Sequence, residues 1–218
     1  MKTVLILGAT GLVGQQLLQQ ALTSHQVARV VAPTRRKLGT VTGTTPAQMA
    51  KLDNPVVDFD NLPAADWWHA DVVLCALGTT MKQAGSQAAF YKVDHDYVLA
   101  CARLAQAAGT RVFVLNSSLG AALKAGSYYL RVKAETERDL GTLGFASLTI
   151  VRPSLLDGGP RPDSRPGEQL AILVSKMIWP LLIKRWRSVP TASVAAAMLQ
   201  AGLQGKAGQT VLESEKLH

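Results

Sequence analysis

Cysteine is almost missing from this chain of 218 residues: Cys75 and Cys101 are the only two. They make no CxxC and no ligand spacing, which argues against a disulfide scaffold and a structural zinc site. The four histidines, His25, His69, His95 and His218, show no ligand spacing either. They read as solvated or structural, and no metal is expected. Long hydrophobic runs are absent too. Val4 to Leu7 stops at Gly8, too short for a signal-peptide core. Met177 to Ile183 spans seven residues and contains Pro180, where a bilayer needs roughly twenty. The expectation is a cytoplasmic protein with no transmembrane segment. Aromatics make up only 6%, with no stacking set, helix-turn-helix or zinc-finger spacing, so no specific nucleic acid is expected as a partner. At 48% hydrophobic and 17% charged, the chain is too apolar to be disordered.

Acidic residues are outnumbered. Lys and Arg total 23 against 15 Asp and Glu, a net charge of +8. Residues 1–110 hold nine against seven, for +2, and residues 111–218 hold fourteen against eight, for +6. Such a field favours anionic ligands without naming one.

Short apolar strands alternate with helices as far as residue 151. Strands are expected at Val4 to Leu7, Val27 to Ala32, Val56 to Phe59, Asp71 to Ala76, Arg111 to Leu115 and Ala146 to Val151. Helices are expected from Leu12 to Leu22, Ala88 to Ala108 and Tyr128 to Leu143, with residues 39–55 as loop and irregular connection. Strands apolar on both faces belong in a parallel sheet covered by helices on each side, so the fold class is α/β, a doubly wound parallel sheet. Beyond Ser154 the rhythm changes. Residues 157–168 read as loop, Gln169 to Ile183 and Thr191 to Leu203 as helices, and Thr210 to Glu213 as a last strand. One domain spans 1–218, with 154–209 forming most of the substrate-side cover.

Gly8-Ala9-Thr10-Gly11-Leu12-Val13-Gly14 follows the first strand and opens the first helix. In that context Gly8 permits the tight turn, Gly11 lets a pyrophosphate approach the backbone, and Gly14 lets helix and strand pack closely. The first-turn N–H groups then face the phosphates. This is the mark of a dinucleotide-binding Rossmann sheet. An NAD site usually places a carboxylate at the end of the second strand; here stand Pro33-Thr34-Arg35-Arg36-Lys37. Arg35 and Arg36 can instead pair with a 2′-phosphate, which favours NADP(H). Asp60 either accepts from the adenine amino group or caps the next turn. Leu77, Gly78 and Thr79, after the fourth strand, bring backbone and a hydroxyl to the ligand side of the sheet.

The fifth strand ends in Ser117 and Ser118. Tyr129 and Lys133 follow at i,i+4, on one helix face. An isolated phenol is a poor acid–base group at neutral pH, but a neighbouring ammonium favours the phenolate. The candidate catalytic set is therefore Ser118, Tyr129 and Lys133. The serine would hold a carbonyl oxygen, the tyrosine would move a proton, and the lysine would also bind the nicotinamide ribose. Ser117 and Pro153 complete the candidate cofactor contacts. Tyr128 reads as packing or cleft lining.

Gly8-x-x-Gly11-x-x-Gly14, Ser117-Ser118 and Tyr129-x-x-x-Lys133 together resemble the short-chain dehydrogenase/reductase superfamily. The glycine spacing is similar to its extended and atypical branches. Ala76 to Thr80, Gly85-Ser86, Phe90 to Asp94, Arg152 to Leu156 and Arg165 to Glu168 resemble the small Tat-interacting oxidoreductase-like group, over essentially the whole chain. The resemblance implies a Rossmann fold with bound NADP(H) and an oxidoreductase role, and it implies no substrate; the Ser118, Tyr129 and Lys133 set favours a small carbonyl compound. The resemblance also leaves open a non-catalytic NADP(H)-binding sensor or assembly protein and, as a third reading, a nucleotide-sugar epimerase or dehydratase. The superfamily's further catalytic asparagine is absent; Val93-Asp94 stands in its region. Arg161, Arg165 and Glu168 either recognise an anionic substrate or tie a loop down. The basic, apolar stretch from Met177 to Trp186 covers the cleft, packs in a homodimer or protein interface, touches a membrane surface, or simply packs in the core.

Overall fold

The computed structural model describes residues 1–157 and 187–218. Seven parallel strands make the main sheet: β1 (Lys2–Leu7), β2 (Val27–Val31), β3 (Leu52–Asp53), β4 (Val72–Cys75), β5 (Val112–Asn116), β6 (Ser147–Arg152) and β9 (Gly208–Glu213). They lie in the order β3-β2-β1-β4-β5-β6-β9. A separate two-stranded pair, β7 (Leu156–Asp157) with β8 (Val189–Pro190), sits just past the end of β6. The order reverses between β1 and β4, which opens a crevice at the carboxyl ends of those strands.

Period-two alternation sends side chains to two cores. Val4, Ile6, Val72, Leu74 and Val114 face α1 (Leu12–Thr23) and α7 (Thr191–Gln204). Leu5, Leu7, Val73, Cys75 and Phe113 face α5 (Tyr97–Ala107) and α6 (Tyr128–Gly141). Both sets are sealed from water, and each fully buried Leu, Ile or Val contributes about 1.5–3 kcal/mol.

The expected parallel Rossmann sheet is present, and three local expectations are corrected. The third strand is Leu52–Asp53, not Val56 to Phe59; only a Thr34–Val56 bridge survives there. Pro55 has no N–H to give a ladder. The loop at 39–55 contains α2 (Pro46–Met49), started by a reciprocal capping box between Thr45 and Gln48. The single helix from Ala88 to Ala108 is three pieces. α4 (Gln87–Tyr91) runs into a π-helical turn at Lys92–Asp96 and then into α5. A short α3 (Met81–Ala84) precedes them. At the π-turn the Thr136 hydroxyl donates to the Asp94 carbonyl at 3.0 Å. The expected helix at Gln169 to Ile183, the residues Arg161, Arg165 and Glu168, and the stretch Met177 to Trp186 lie outside the described residues.

Candidate active site and cofactor crevice

The Gly8–Gly11 turn links β1 to α1. Gly8 takes φ +82°, and a Cβ there would stand 2.6 Å from the Ala76 carbonyl and the Leu77 nitrogen. A Cβ on Gly14 would collide with the Gly8 carbonyl. Gly11 is open by comparison: its Cβ would meet only the Gly8 oxygen, at 3.4 Å. α1 begins with no side-chain cap and no acidic residue in its first turn. Its first helical bond is Gln15 N–H to the Gly11 carbonyl, 2.8 Å, so the N–H groups of Leu12, Val13 and Gly14 have no partner inside the helix. The Val13 side chain is core, leaving its backbone to face the crevice; Thr10 is exposed. This positive helix end fits a pyrophosphate.

At the end of β2, Arg35 and Arg36 are exposed, and their side chains have no polar partner among the described residues. Their turn is held from beneath by Asn54. This buried amide donates to the Ala32 carbonyl (2.6 Å) and the Thr34 hydroxyl (2.8 Å) and accepts from Leu38 N–H (2.7 Å). The Asn54 carbonyl also takes Lys37 Nζ at 2.8 Å. Asp60 is tied to Lys92 and to α5. Its Oδ1 accepts from the Tyr97 hydroxyl at 2.7 Å and pairs with Lys92 Nζ at 2.6 Å. The Lys92 hydrogen bond, joined by that of Tyr97, holds the Asp60 carboxyl below its usual range.

Past β4, Thr79 N–H donates to Asp94 Oδ2 at 2.8 Å. The other oxygen, Oδ1, lies 2.8 Å from Lys133 Nζ, an ion pair without the alignment of a hydrogen bond. Asp94 is 1% and Lys133 6% exposed. Burial, the largest single influence, pulls the Lys133 ammonium down, but the Asp94 carboxylate, Tyr129 and Cys75 together outweigh it, and its pKa stays above the ordinary lysine value. Lys133 Nζ stands 5.8 Å from the Tyr129 ring centroid, and Phe90 packs on the same ring at 5.7 Å. The Tyr129 hydroxyl has no hydrogen-bond partner among the described residues. Cys75, beneath this group, is pushed up to about 12 by burial, so it stays an inert thiol.

The two serines part ways. Ser117 is buried, and its hydroxyl donates to Glu137 Oε1 at 2.5 Å. Glu137 is also gripped by Arg152, whose Nε and Nη2 reach it at 3.0 and 2.5 Å, while Nη1 reaches Glu213 at 3.1 Å. Arg152 and Glu137 also line a cavity of about 270 Å3 beside Leu123 and Gln209, with their charges already matched to each other. Ser118 is half-buried, and among the described residues its Oγ makes only a long 3.4 Å contact to the Leu119 carbonyl. Of the pair, Ser118 keeps a hydroxyl available. Pro153 is buried, and its carbonyl accepts Leu119 N–H at 2.8 Å. Tyr128 donates to the Gln87 carbonyl at 3.1 Å, a packing contact.

Residues 8–202 match the NAD(P)H-binding family. The chain belongs to that family. Within it, this NAD(P)H-binding protein is 38% identical to protein HTATIP2 of Rattus norvegicus over 222 residues, covering 99% of this chain and 87% of the relative. It is 34% identical to the mitochondrial protein fmp52 of Emericella nidulans over 224 residues, covering 100% and 94%. Its fold superposes on that of MoeE5 in complex with UDP-glucuronic acid and NAD, with a TM-score of 0.74 at 18% identity, covering 97% of this chain and 76% of that one. The NAD(P)H-binding protein is thus an extended or atypical short-chain dehydrogenase/reductase-like Rossmann protein, as the glycine and YxxxK motifs imply. Among the described residues no helix is long and apolar enough to cross a membrane, and no group of His, Cys, Asp or Glu is arranged to hold a metal.

Sequence reasoning assigned no role to two residues: Asp94, noted only as standing where an asparagine was expected, and Asn54. Asp94 had a signal: it falls four before Val98 and eight before Ala102, on the apolar stripe of the helix that follows. Asn54 had only its place before Pro55, an ordinary turn signal.

Proposed function

We propose that the protein is an NADP(H)-dependent oxidoreductase of the short-chain dehydrogenase/reductase type, acting on a small carbonyl compound. The observation that carries this reading is the Tyr129–Lys133 pair: a phenol with no hydrogen-bond partner beside a buried, charged lysine. The first turn of α1 would hold the pyrophosphate. Arg35, supported by Arg36, would take a 2′-phosphate through charge-assisted hydrogen bonds, and no carboxylate stands at the end of β2 to claim a ribose 2′-hydroxyl. Leu77, Gly78 and Thr79 would line the cofactor, and Lys133 would donate to the nicotinamide ribose. A nicotinamide, when bound, would supply or accept the hydride. Ser118 would hold the carbonyl oxygen, and Tyr129 would give it a proton in reduction or take one in oxidation.

The cheapest test is the mass of any cofactor released from denatured purified protein, followed by titration with NADPH and NADH. Tighter binding of NADPH, with turnover on a panel of aldehydes, ketones and quinones, is the expected result. Tight binding with no turnover by any substrate would move the protein toward the sensor reading, and equal affinities would remove the role given to Arg35. A cytoplasmic site of action, with 154–209 covering the substrate, completes the proposal; cell fractionation tests the first.

A further inference from the structure

Asp94 has three ties, two to α6 and one to the segment after β4. Its Oδ1 faces Lys133 on α6, its Oδ2 takes the Thr79 N–H after β4, and its backbone carbonyl takes the Thr136 hydroxyl one turn further along α6. The π-helical turn at Lys92–Asp96 sets this carboxylate on the buried face. Gly78 closes over it: a Cβ there would stand 3.1 Å from Asp94 Oδ1 and 3.6 Å from Lys133 Nζ. One side chain therefore fixes both the lysine that meets the cofactor and the backbone that lines it. A structural ion pair would not need the Thr79 contact, and a loop staple would not need a charge.

We propose that Asp94 is a positioning residue for cofactor binding: it keeps Lys133 charged and aimed at the crevice, and locks the Gly78–Thr79 backbone to the same point. The proposal rests on the reading of Lys133 as a cofactor ligand. The titratable groups facing Lys133 are Asp94 from the π-turn, Tyr129 from its own helix and Cys75 from β4. Among the described residues, Asp94 is the carboxylate of this group. With its charge removed, burial is left to act on the ammonium and favours the neutral amine.

Asp94→Asn keeps the shape and an acceptor for Thr79 while removing the charge. Carbon-13 NMR of lysine labelled at Cε, with the Lys133 signal assigned from Lys133→Met, follows the titration without cofactor. In the wild type the Lys133 midpoint should lie above that of ordinary lysine, and in Asp94→Asn it should fall by at least about one pH unit. NADPH affinity, read by fluorescence, should be flat with pH in the wild type. In the variant it should weaken about tenfold as pH rises through the lowered midpoint, and Asp94→Glu should restore the flat profile. An unmoved Lys133 midpoint, or a variant whose affinity has the wild-type pH profile, overturns the proposal. Should Asp94→Asn not fold, the wild-type titration still decides: a Lys133 midpoint at or below that of ordinary lysine overturns it. A wild type that binds neither NADPH nor NADH refutes the reading of the crevice instead, and the NMR arm still measures the coupling of Asp94 to Lys133.

Discussion

Two ionic centres sit one turn apart on α6. Lys133 and Glu137 are both buried, and both lie on the strip that begins at Tyr129. Glu137 is saturated: Ser117 and two nitrogens of Arg152 use its oxygens, and Arg152 reaches on to Glu213. Among the described residues, Lys133 has one carboxylate partner for an ammonium with three N–H donors, and the hydroxyl of its neighbour Tyr129 has no hydrogen-bond partner. A buried polar group that is fully matched ties elements together, while one left with spare donors in a crevice is set for a ligand. By this comparison, Glu137 and Arg152 clamp β5, β6 and α6 together, and Tyr129 and Lys133 are the pair to which the proposed function gives a substrate and a cofactor.

The sharpest break in that comparison is Tyr129→Phe. It removes one hydroxyl and no packing, so turnover of a carbonyl substrate should fall by about two to four orders of magnitude, about 3–5 kcal/mol of barrier. The melting temperature and NADPH affinity should hold. A substrate reduced equally well by both proteins sinks the proton role.

Glu137→Ala should do the reverse. Breaking a buried, hydrogen-bonded pair costs about 3 kcal/mol of stability, visible as a lower urea midpoint, while NADPH affinity of the folded protein changes little. A large affinity loss with unchanged stability would move Glu137 to the functional side of the comparison.

Arg35→Ala tests the far end of the crevice. Losing charge-assisted hydrogen bonds to the 2′-phosphate should cost NADPH binding roughly 1.5–3 kcal/mol and leave NADH binding almost untouched. Calorimetric titration of both cofactors checks it.

The smallest effect belongs to the surface pair at the end of α6. Arg138, joined by His95, lowers the Asp139 carboxyl to about 2. A depressed folded-state pKa adds stability above the unfolded value near 4 and loses it as pH falls toward 2. Arg138 is half exposed, so solvent screening leaves no more than about 1 kcal/mol. Asp139→Asn should therefore lower stability slightly at pH 7 and not at pH 2, read from denaturant midpoints at both.

The main sheet was legible because runs such as Val4 to Leu7 and Val72 to Cys75 are apolar at every position, which suits a strand covered on both faces. The glycine turn was legible because its backbone demands are local. Short elements were not: β3 is two residues long, and its place follows from Pro55 and the Asn54 side chain rather than from any period. The break in the helix at Lys92–Asp96 was hidden because its cause is tertiary, a hydroxyl and an ammonium from α6 meeting Asp94. Tyr129, Lys133 and the serines could be named as types at a spacing. Which serine is spent on Glu137 depends on a partner 20 residues away, and no spacing rule contains that.

The Asn54 amide has a consequence for how the protein can change. It shapes the Pro33 to Leu38 turn from inside, through Ala32, Thr34 and Leu38, and asks nothing of the side chains at positions 35 and 36. Those two positions are therefore interchangeable parts on a fixed mount. If Arg35 reads the 2′-phosphate as proposed, point substitution there would exchange one cofactor preference for the other and leave the mount and the sheet as they are.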